Sequence, residues 1–297
     1  MKIISICGPT GVGKTKLSIE LARAYNAEII SCDSMQFYKG LDIGTAKVSE
    51  SEKAGIKHHL LDILEPDEAF SVADFQEVVR NKINELLEKN ITPILVGGSG
   101  LFISSVLYDY KFKGKKREES TLEEFETKSL DELVNILKEK APEIANSVDL
   151  GNRRRVLRAL EKNGEDLDLS GKKLFYKSSI VLGLQMERSL LYERINNRVD
   201  KMLDDGLLEE AEYLYNLKLD SQATKAIGYK EFFGYFEGDN DLETSVELLK
   251  RNSRRFAKRQ MTWFRNKMDC IWLNVDLNDF DKTIEAAKII IKKEANI

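Results

Sequence analysis

Apolar positions along this chain follow two different periods. Runs rich in apolar residues occupy 2–7 (KIISIC), 27–33 (AEIISCD), 92–98 (TPILVGG), 178–186 (SSIVLGLQM) and 270–276 (CIWLNVD). Each is strand-length and bounded by turn residues, which predicts strands buried on both faces. Residues 14–26 (KTKLSIELARAYN) and 70–90 (FSVADFQEVVRNKINELLEKN) carry the helical period instead. Strand alternating with helix is the pattern that builds a parallel sheet.

Between about Asp109 and Ser178 the alternation stops. Residues 113–126 (KGKKREESTLEEFE) are charged, residues 129–148 have a helical pattern, and residues 152–164 form a basic helical stretch ending at Gly164. This predicts a helical insertion domain, residues 110–178, within a core made of residues 1–109 and 179–297. Amphipathic helices follow at 187–206, 207–219 and 241–267. There is no internal repeat, low-complexity tract or extended linker.

The turn between the first strand and the first helix reads GPTGVGKT. Gly8, Pro9, Thr10, Gly11, Val12, Gly13, Lys14 and Thr15 match the spacing of a phosphate-binding loop, whose backbone N–H groups close around a phosphate. In that pattern Lys14 adds positive charge and Thr15 reaches a Mg2+ ion. The predicted fold class is therefore α/β: a P-loop NTPase-like parallel sheet flanked by helices, with a helical insertion. The loop names a ligand class and not a reaction. The third strand ends in glycines where many NTPases carry a magnesium-binding acid, and no guanine-reading Asn-Lys-x-Asp stretch occurs, which weighs against motor ATPases and GTPases.

Asp33 closes the second strand, and in an open parallel sheet ligands sit beyond the strand C-termini. Metal ligand, general base and helix N-cap all remain open for this carboxylate. Ser34 and Gln36 carry groups suited to reading a base edge. Ser99, at the end of the third strand, is either part of a tightly packed turn or a hydroxyl near the substrate. His58 and His59 are adjacent, so on a strand they face opposite ways and do not share one metal.

Charge changes the picture more than composition does. With 297 residues and 42% hydrophobic content the chain has ample material for a core, and its net charge of −4 combines 46 basic with 50 acidic residues. Residues 251–267 (RNSRRFAKRQMTWFRNK) nevertheless contain no acid, and Arg251, Arg255 and Arg259 recur at helical spacing. With Arg153, Arg154, Arg155 and Arg158 as a second cluster, a polyanionic partner such as a nucleic acid is expected. The alternative is a solvated helix face paired with acids elsewhere. Cys7, Cys32 and Cys270 form no CxxC pair, so packing roles and a reducing, cytoplasmic setting are expected. No apolar run approaches a membrane span and the N-terminal residues lack a signal-peptide pattern, so no membrane association is expected.

Taken together, GPTGVGKT, ISCDSMQFYKGLDIGTAK, HHLLDILEP with FSVADF, ILVGGSGLFISSVLYDY, RRRVLRALE, KAIGYKEF and KRQMTWFR resemble the tRNA dimethylallyltransferases, also called tRNA isopentenyltransferases. The resemblance implies that the loop holds the diphosphate of dimethylallyl diphosphate, with Mg2+ at Thr15. It implies attack by the exocyclic amine of the adenosine immediately 3′ of the tRNA anticodon. Asp33 then corresponds to the family's general base, Lys14 and Thr15 serve the leaving group, and Ser99 stands where the family usually has Thr. Contacts to the anticodon stem-loop are implied for Asp33, Ser34, Met35 and Gln36; for Arg154, Arg155 and Arg158; for Lys225, Gly228, Tyr229 and Lys230; and for Lys258, Arg259, Gln260, Trp263 and Arg265. A monomer is expected. Two stretches depart from the family pattern: the segment after YDYKFKG lacks the usual proline-containing segment, and SVDLGN replaces the commoner His-Pro-Asn-Asp before the arginines. Small-molecule phosphotransferases and nucleic-acid-binding ATPases are the competing classes, since each accounts for half of these features.

Overall fold

A computed structural model describes residues 2–112, 125, 127–146, 148–161 and 173–295, and of Arg154, Glu161 and Ala295 the backbone alone. Most of the charged stretch 113–126 and the helix end expected at Gly164 lie outside the described residues. The elements run β1 (Ile3–Cys7), α1 (Lys14–Ala24), β2 (Ala27–Ser31), α2 (Glu50–Lys53), β3 (His58–His59), α3 (Val72–Glu88), β4 (Thr92–Gly97) and α4 (Gly100–Leu107). Next come α5 (Leu130–Lys140), α6 (Pro142–Ala145) and α7 (Arg153–Glu161). The chain closes with β5 (Ser179–Gln185), α8 (Arg188–Asp204), α9 (Leu207–Asn216), a 3-10 turn at Lys230–Phe232, α10 (Phe233–Phe236), α11 (Leu242–Lys267), β6 (Ile271–Asn274) and α12 (Phe280–Ala295).

All strand pairs in the six-stranded sheet are parallel, in the order β3-β2-β4-β1-β5-β6. Every residue of β1 is buried, as a central strand flanked by β4 and β5 requires. Ile4 and Ile6 of β1 pack in one apolar cluster with Leu17 and Leu21 of α1 and Ile284, Ala287 and Ile291 of α12. The helix α3 starts at a capping box in which Ser71 and Asp74 exchange side-chain and backbone bonds, and it buries Phe75, Val79, Ile83 and Leu86 at helical spacing. Because β2, β4 and β1 are neighbours, the segments after their C-terminal ends, starting at Cys32, Gly98 and Gly8, emerge side by side.

By its internal contacts the chain divides into Met1–Leu107 with Tyr176–Ile297, and Tyr108–Phe175. The smaller unit packs Leu133 and Leu137 of α5 against Val156 and Leu160 of α7, with Phe125 and Ala145. Its predicted single helical run 129–148 splits at Ala141, which takes φ −148° and ψ 70° because Pro142 starts a new helix. The edge strand β3, the helix α12 and the short elements α2, Lys230–Phe232 and α10 went unpredicted. The Cys7 and Cys270 thiols lie 3.5 Å apart, both free, and Cys270's thiol together with burial pushes the Cys7 thiol up. No helix among the described residues is long and apolar enough to cross a membrane.

Candidate active site

Gly8 follows β1 directly, and three loop glycines, Gly8, Gly11 and Gly13, take positive φ values of 148°, 80° and 102°. That left-handed sequence wraps the backbone into a cradle at the start of α1, where the helix N-terminus favours anions. Lys14 folds back over the cradle, its Nζ donating to Gly8 O at 3.0 Å and Pro9 O at 2.8 Å. Burial lowers its pKa from 10.5 to about 8; the nearby Asp33 opposes this and Arg198 adds to it.

Asp33 sits just beyond β2. Its Oδ1 accepts the Met35 N–H at 3.2 Å and its carbonyl accepts the Gln36 N–H at 3.1 Å, so it also closes a turn. Burial pushes its carboxyl above the ordinary carboxylate value, while the Met35 bond, Lys14 and Arg198 pull it back. Ser34 and Met35 lie half-buried beside it.

Two residues that hold the loop escaped sequence reasoning as site residues. Arg198 on α8 donates to Thr10 Oγ1 at 3.4 Å, and Arg194, one turn earlier, donates to Gly11 O at 3.0 Å. The only local signal was their i, i+4 spacing beside the apolar stripe Leu191, Ile195 and Val199.

Helix α11 braces the loop from another direction. Gln260 Oε1 accepts the Thr10 N–H at 2.9 Å and Gln260 Nε2 donates to Gly98 O at 3.1 Å, bridging the loop to the end of β4. A Cβ on Gly98 would lie 2.1 Å from Gln260 Nε2, and one on Gly100 would lie 2.0 Å from the Trp263 ring. Close approach of α11 therefore accounts for these glycines. Ser99 sits between them, half-buried at the start of α4, where its carbonyl accepts the Phe102 and Ile103 N–H groups.

Several residues expected at the RNA make hydrogen bonds inside the chain. Gln260 is buried and uses both ends of its amide inside the chain. Tyr229 is fully buried and donates to Glu210 at 2.7 Å, with Gly228 buried next to it. Gln36 accepts the Ser31 hydroxyl at 3.0 Å and donates to Thr45 O and Ala46 O, both at 3.3 Å. Lys225 and Lys230 are exposed, Lys225 in an ion pair with Asp220.

On α11, Arg255, Lys258, Arg259, Thr262, Trp263, Asn266 and Lys267 line an open cleft of ≈ 470 Å³. None of its cations is in an ion pair among the described residues. Arg265 is directed elsewhere, donating to Gln185 at 3.0 Å and lying 5.8 Å from the Trp272 ring centre. In the smaller unit Arg158 is exposed, Arg155 pairs with Asp149 at 3.5 Å, and Arg153 donates to Lys128 O and Phe125 O. The Arg154 side chain lies outside the described residues. No three His, Cys, Asp or Glu side chains gather as a metal cluster among the described residues. Thr15, which the loop pattern expects to hold Mg2+, is exposed at the start of α1.

A family model described as IPP transferase matches residues 36–267. The tRNA dimethylallyltransferase of Bacillus licheniformis is 50% identical over 285 residues, 92% of this chain and 90% of that protein, and the Bacillus cereus one is 50% identical over 97% and 94%. The crystal structure of the tRNA isopentenylpyrophosphate transferase from Bacillus halodurans superimposes with TM-score 0.75 and 42% identity over 99% of this chain and 98% of that one. A eukaryotic dimethylallyltransferase acting on tRNA superimposes with TM-score 0.87 and 30% identity over 99% and 79%. A match this long, carried by half of all positions and by the same fold, means that the chain belongs to the IPP transferase family.

Proposed function

We propose that this protein transfers a dimethylallyl group from dimethylallyl diphosphate to the exocyclic amine of the tRNA adenosine immediately 3′ of the anticodon, releasing diphosphate. The observation that carries it is one half-buried carboxylate, Asp33, held beside a phosphate cradle and its lysine, with glycines ending β4. This arrangement separates a proton acceptor from a leaving-group site.

The N–H groups of Gly11–Thr15, with Lys14 and Arg198, receive the diphosphate. Thr15 would hold Mg2+, which supplies positive charge to the departing group. The adenine amine attacks the allylic carbon as its bond to diphosphate oxygen breaks, and the amine proton passes to Asp33. Burial makes Asp33 a stronger base than a solvated carboxylate, and such proton transfer is worth roughly 10²–10⁴-fold in rate. Lys14 and Arg198 meet the charge that grows on the leaving group, in a site whose backbone is already arranged for it. The target base must leave its stack to reach Asp33, and the cationic cleft on α11 takes the RNA backbone. We take the protein to act as a monomer in the cytoplasm.

The test combines labelled dimethylallyl diphosphate with unmodified tRNA and analyses the nucleosides by mass spectrometry. A dimethylallyl adenosine next to the anticodon is the expected product. ATP turnover or γ-phosphate transfer without prenylation would overturn the reading.

A further inference from the structure

The loop Leu41–Lys47 follows the Asp33 turn, and a single carboxylate from another part of the chain holds its backbone. Glu210 on α9 accepts the Asp42 and Ile43 N–H groups on Oε2 at 2.8 and 2.9 Å. Its Oε1 accepts the Gly44 N–H at 2.9 Å and the Tyr229 hydroxyl at 2.7 Å. Three successive N–H groups form a concave anion site, and here a side chain of the protein fills it with charge-assisted bonds. The fit is close: a Cβ on Gly44 would lie 2.6 Å from Tyr229 Cζ.

Hydrogen bonds continue from this loop to the candidate base. Gln36 Nε2 donates to the carbonyls of Thr45 and Ala46, at the far end of the held segment. Gln36 Oε1 accepts the Ser31 hydroxyl, and Ser31 Oγ accepts the Asp33 N–H at 3.4 Å. The Gln36 N–H returns to Asp33 O at 3.1 Å. Lys47 locks the base of the loop, donating to Tyr38 O at 2.8 Å and Asp42 Oδ1 at 2.6 Å.

We infer that Glu210 and Tyr229 form a positioning clasp that sets the Asp33 carboxylate through the loop 42–46 and Gln36, an inference that rests on Asp33 being the base of the proposed reaction. Glu210 touches neither substrate in this arrangement. Its removal leaves three N–H groups and a phenol without their acceptor, the loop relaxes, and Asp33 loses its aim while the phosphate cradle stays formed.

The experiment measures steady-state prenyl transfer by wild type, Glu210→Ala, Glu210→Gln, Gln36→Ala and the Glu210→Ala/Gln36→Ala double variant, at saturating tRNA and varied donor. A misplacement of about 1 Å costs on the order of 10²-fold, so kcat of Glu210→Ala should fall by about that factor while the donor KM moves less than about threefold. Glu210→Gln keeps one acceptor oxygen and should recover to within about tenfold of wild type. The double variant should lose no more than about threefold beyond Glu210→Ala, because both substitutions cut one chain of bonds. Wild-type kcat in Glu210→Ala, or losses that multiply in the double variant, would overturn the clasp. Should Glu210→Ala fail to fold, Glu210→Gln decides: a kcat loss of about three- to tenfold at unchanged donor KM is expected, and no loss overturns it. Amide hydrogen exchange over residues 34–46 needs no turnover; protection there should drop in Glu210→Gln, and unchanged protection would also overturn the clasp. An inactive wild type would instead count against the proposed reaction, with the exchange result still deciding on Glu210.

Discussion

Raising the pH from 7 to 9 should switch the enzyme off through Lys14. Its ammonium has a pKa of about 8 in the free protein against an ordinary 10.5, because burial disfavours the charge and Arg198 adds repulsion. At pH 7 about nine-tenths of the molecules carry the charge and at pH 9 about one-tenth do, so kcat/KM for the donor should fall about tenfold over that interval. A lysine at its ordinary value would lose only a few per cent there. The acid limb belongs to Asp33 and should lie above the ordinary carboxylate range, since burial raises its pKa. Arg198 lowers both values, so Arg198→Ala should move both limbs toward higher pH. Bound diphosphate favours the ammonium, and the alkaline limb of kcat should therefore lie above that of kcat/KM. The assay is initial-rate prenyl transfer at saturating tRNA and subsaturating donor, from about pH 5 to 9.5. A wild-type kcat/KM that stays flat to the top of that range, or an alkaline limb unmoved in Lys14→Arg, would refute the assignment to Lys14.

Asp33→Asn should lower kcat by about 10²–10⁴-fold with tRNA affinity little changed, measured by single-turnover kinetics and filter binding. Arg255→Ala/Arg259→Ala should reduce the slope of log affinity for tRNA against log salt by roughly 1.4–1.8 while donor affinity stays unchanged; an intact slope would mean these cations do not meet phosphate. Gln260→Ala strands the Thr10 N–H and Gly98 O, and an unsatisfied buried group costs about 1–3 kcal/mol, so donor KM should rise and unfolding should come earlier. Lys14→Met should unfold later at pH 7. The depressed folded pKa means the unfolded chain binds more protons between about 8 and 10.5, so the native lysine costs stability below that window and regains it as pH rises through it.

The phosphate loop was legible because its chemistry is written in consecutive residues, and β1, β2, β4 and β5 because a strand buried on both faces must be an apolar run; β6 was legible from its apolar residues although it is an edge strand with Ile271 and Asn274 exposed, not one buried on both faces. β3 was not, since a two-residue edge strand carries no period at all. Arg198 and Glu210 look like ordinary polar positions on amphipathic helices; what marks them is the distant backbone they meet, at Thr10 and at Asp42–Gly44. Gln260 did leave a trace. It lies on the buried face of α11 with Ala257 and Phe264, and an uncharged polar residue there calls for an internal partner. The resemblance implies a place at the RNA for Tyr229 and Gln36 and gives no hint of their internal hydrogen bonds, because a motif records that a residue matters without recording what it touches.

The central strand β1 pairs on one side with β4 and on the other with β5, where Ser5 meets Val181. During synthesis the chain therefore completes β1, β2 and β4 long before the strand that seals the open edge of β1 exists. At about 5–20 residues per second the stretch between β4 and β5 delays that pairing by roughly 4–16 seconds. An unpaired apolar edge is a template for association with other chains over that interval. Yet the intervening unit draws its own ends together, with Tyr108 bridged to Leu174 and the Asp109 N–H on Lys173 O at 3.0 Å. Once folded, it shortens the loop that β5 must close from residues 98–178 to the flanking segments 98–107 and 175–178, and loop-closure entropy falls accordingly. The insertion thus acts as a folding clamp for the sheet, and variants that loosen its Leu133, Leu137, Val156 and Leu160 core should slow refolding of the whole protein more than they change the finished active site.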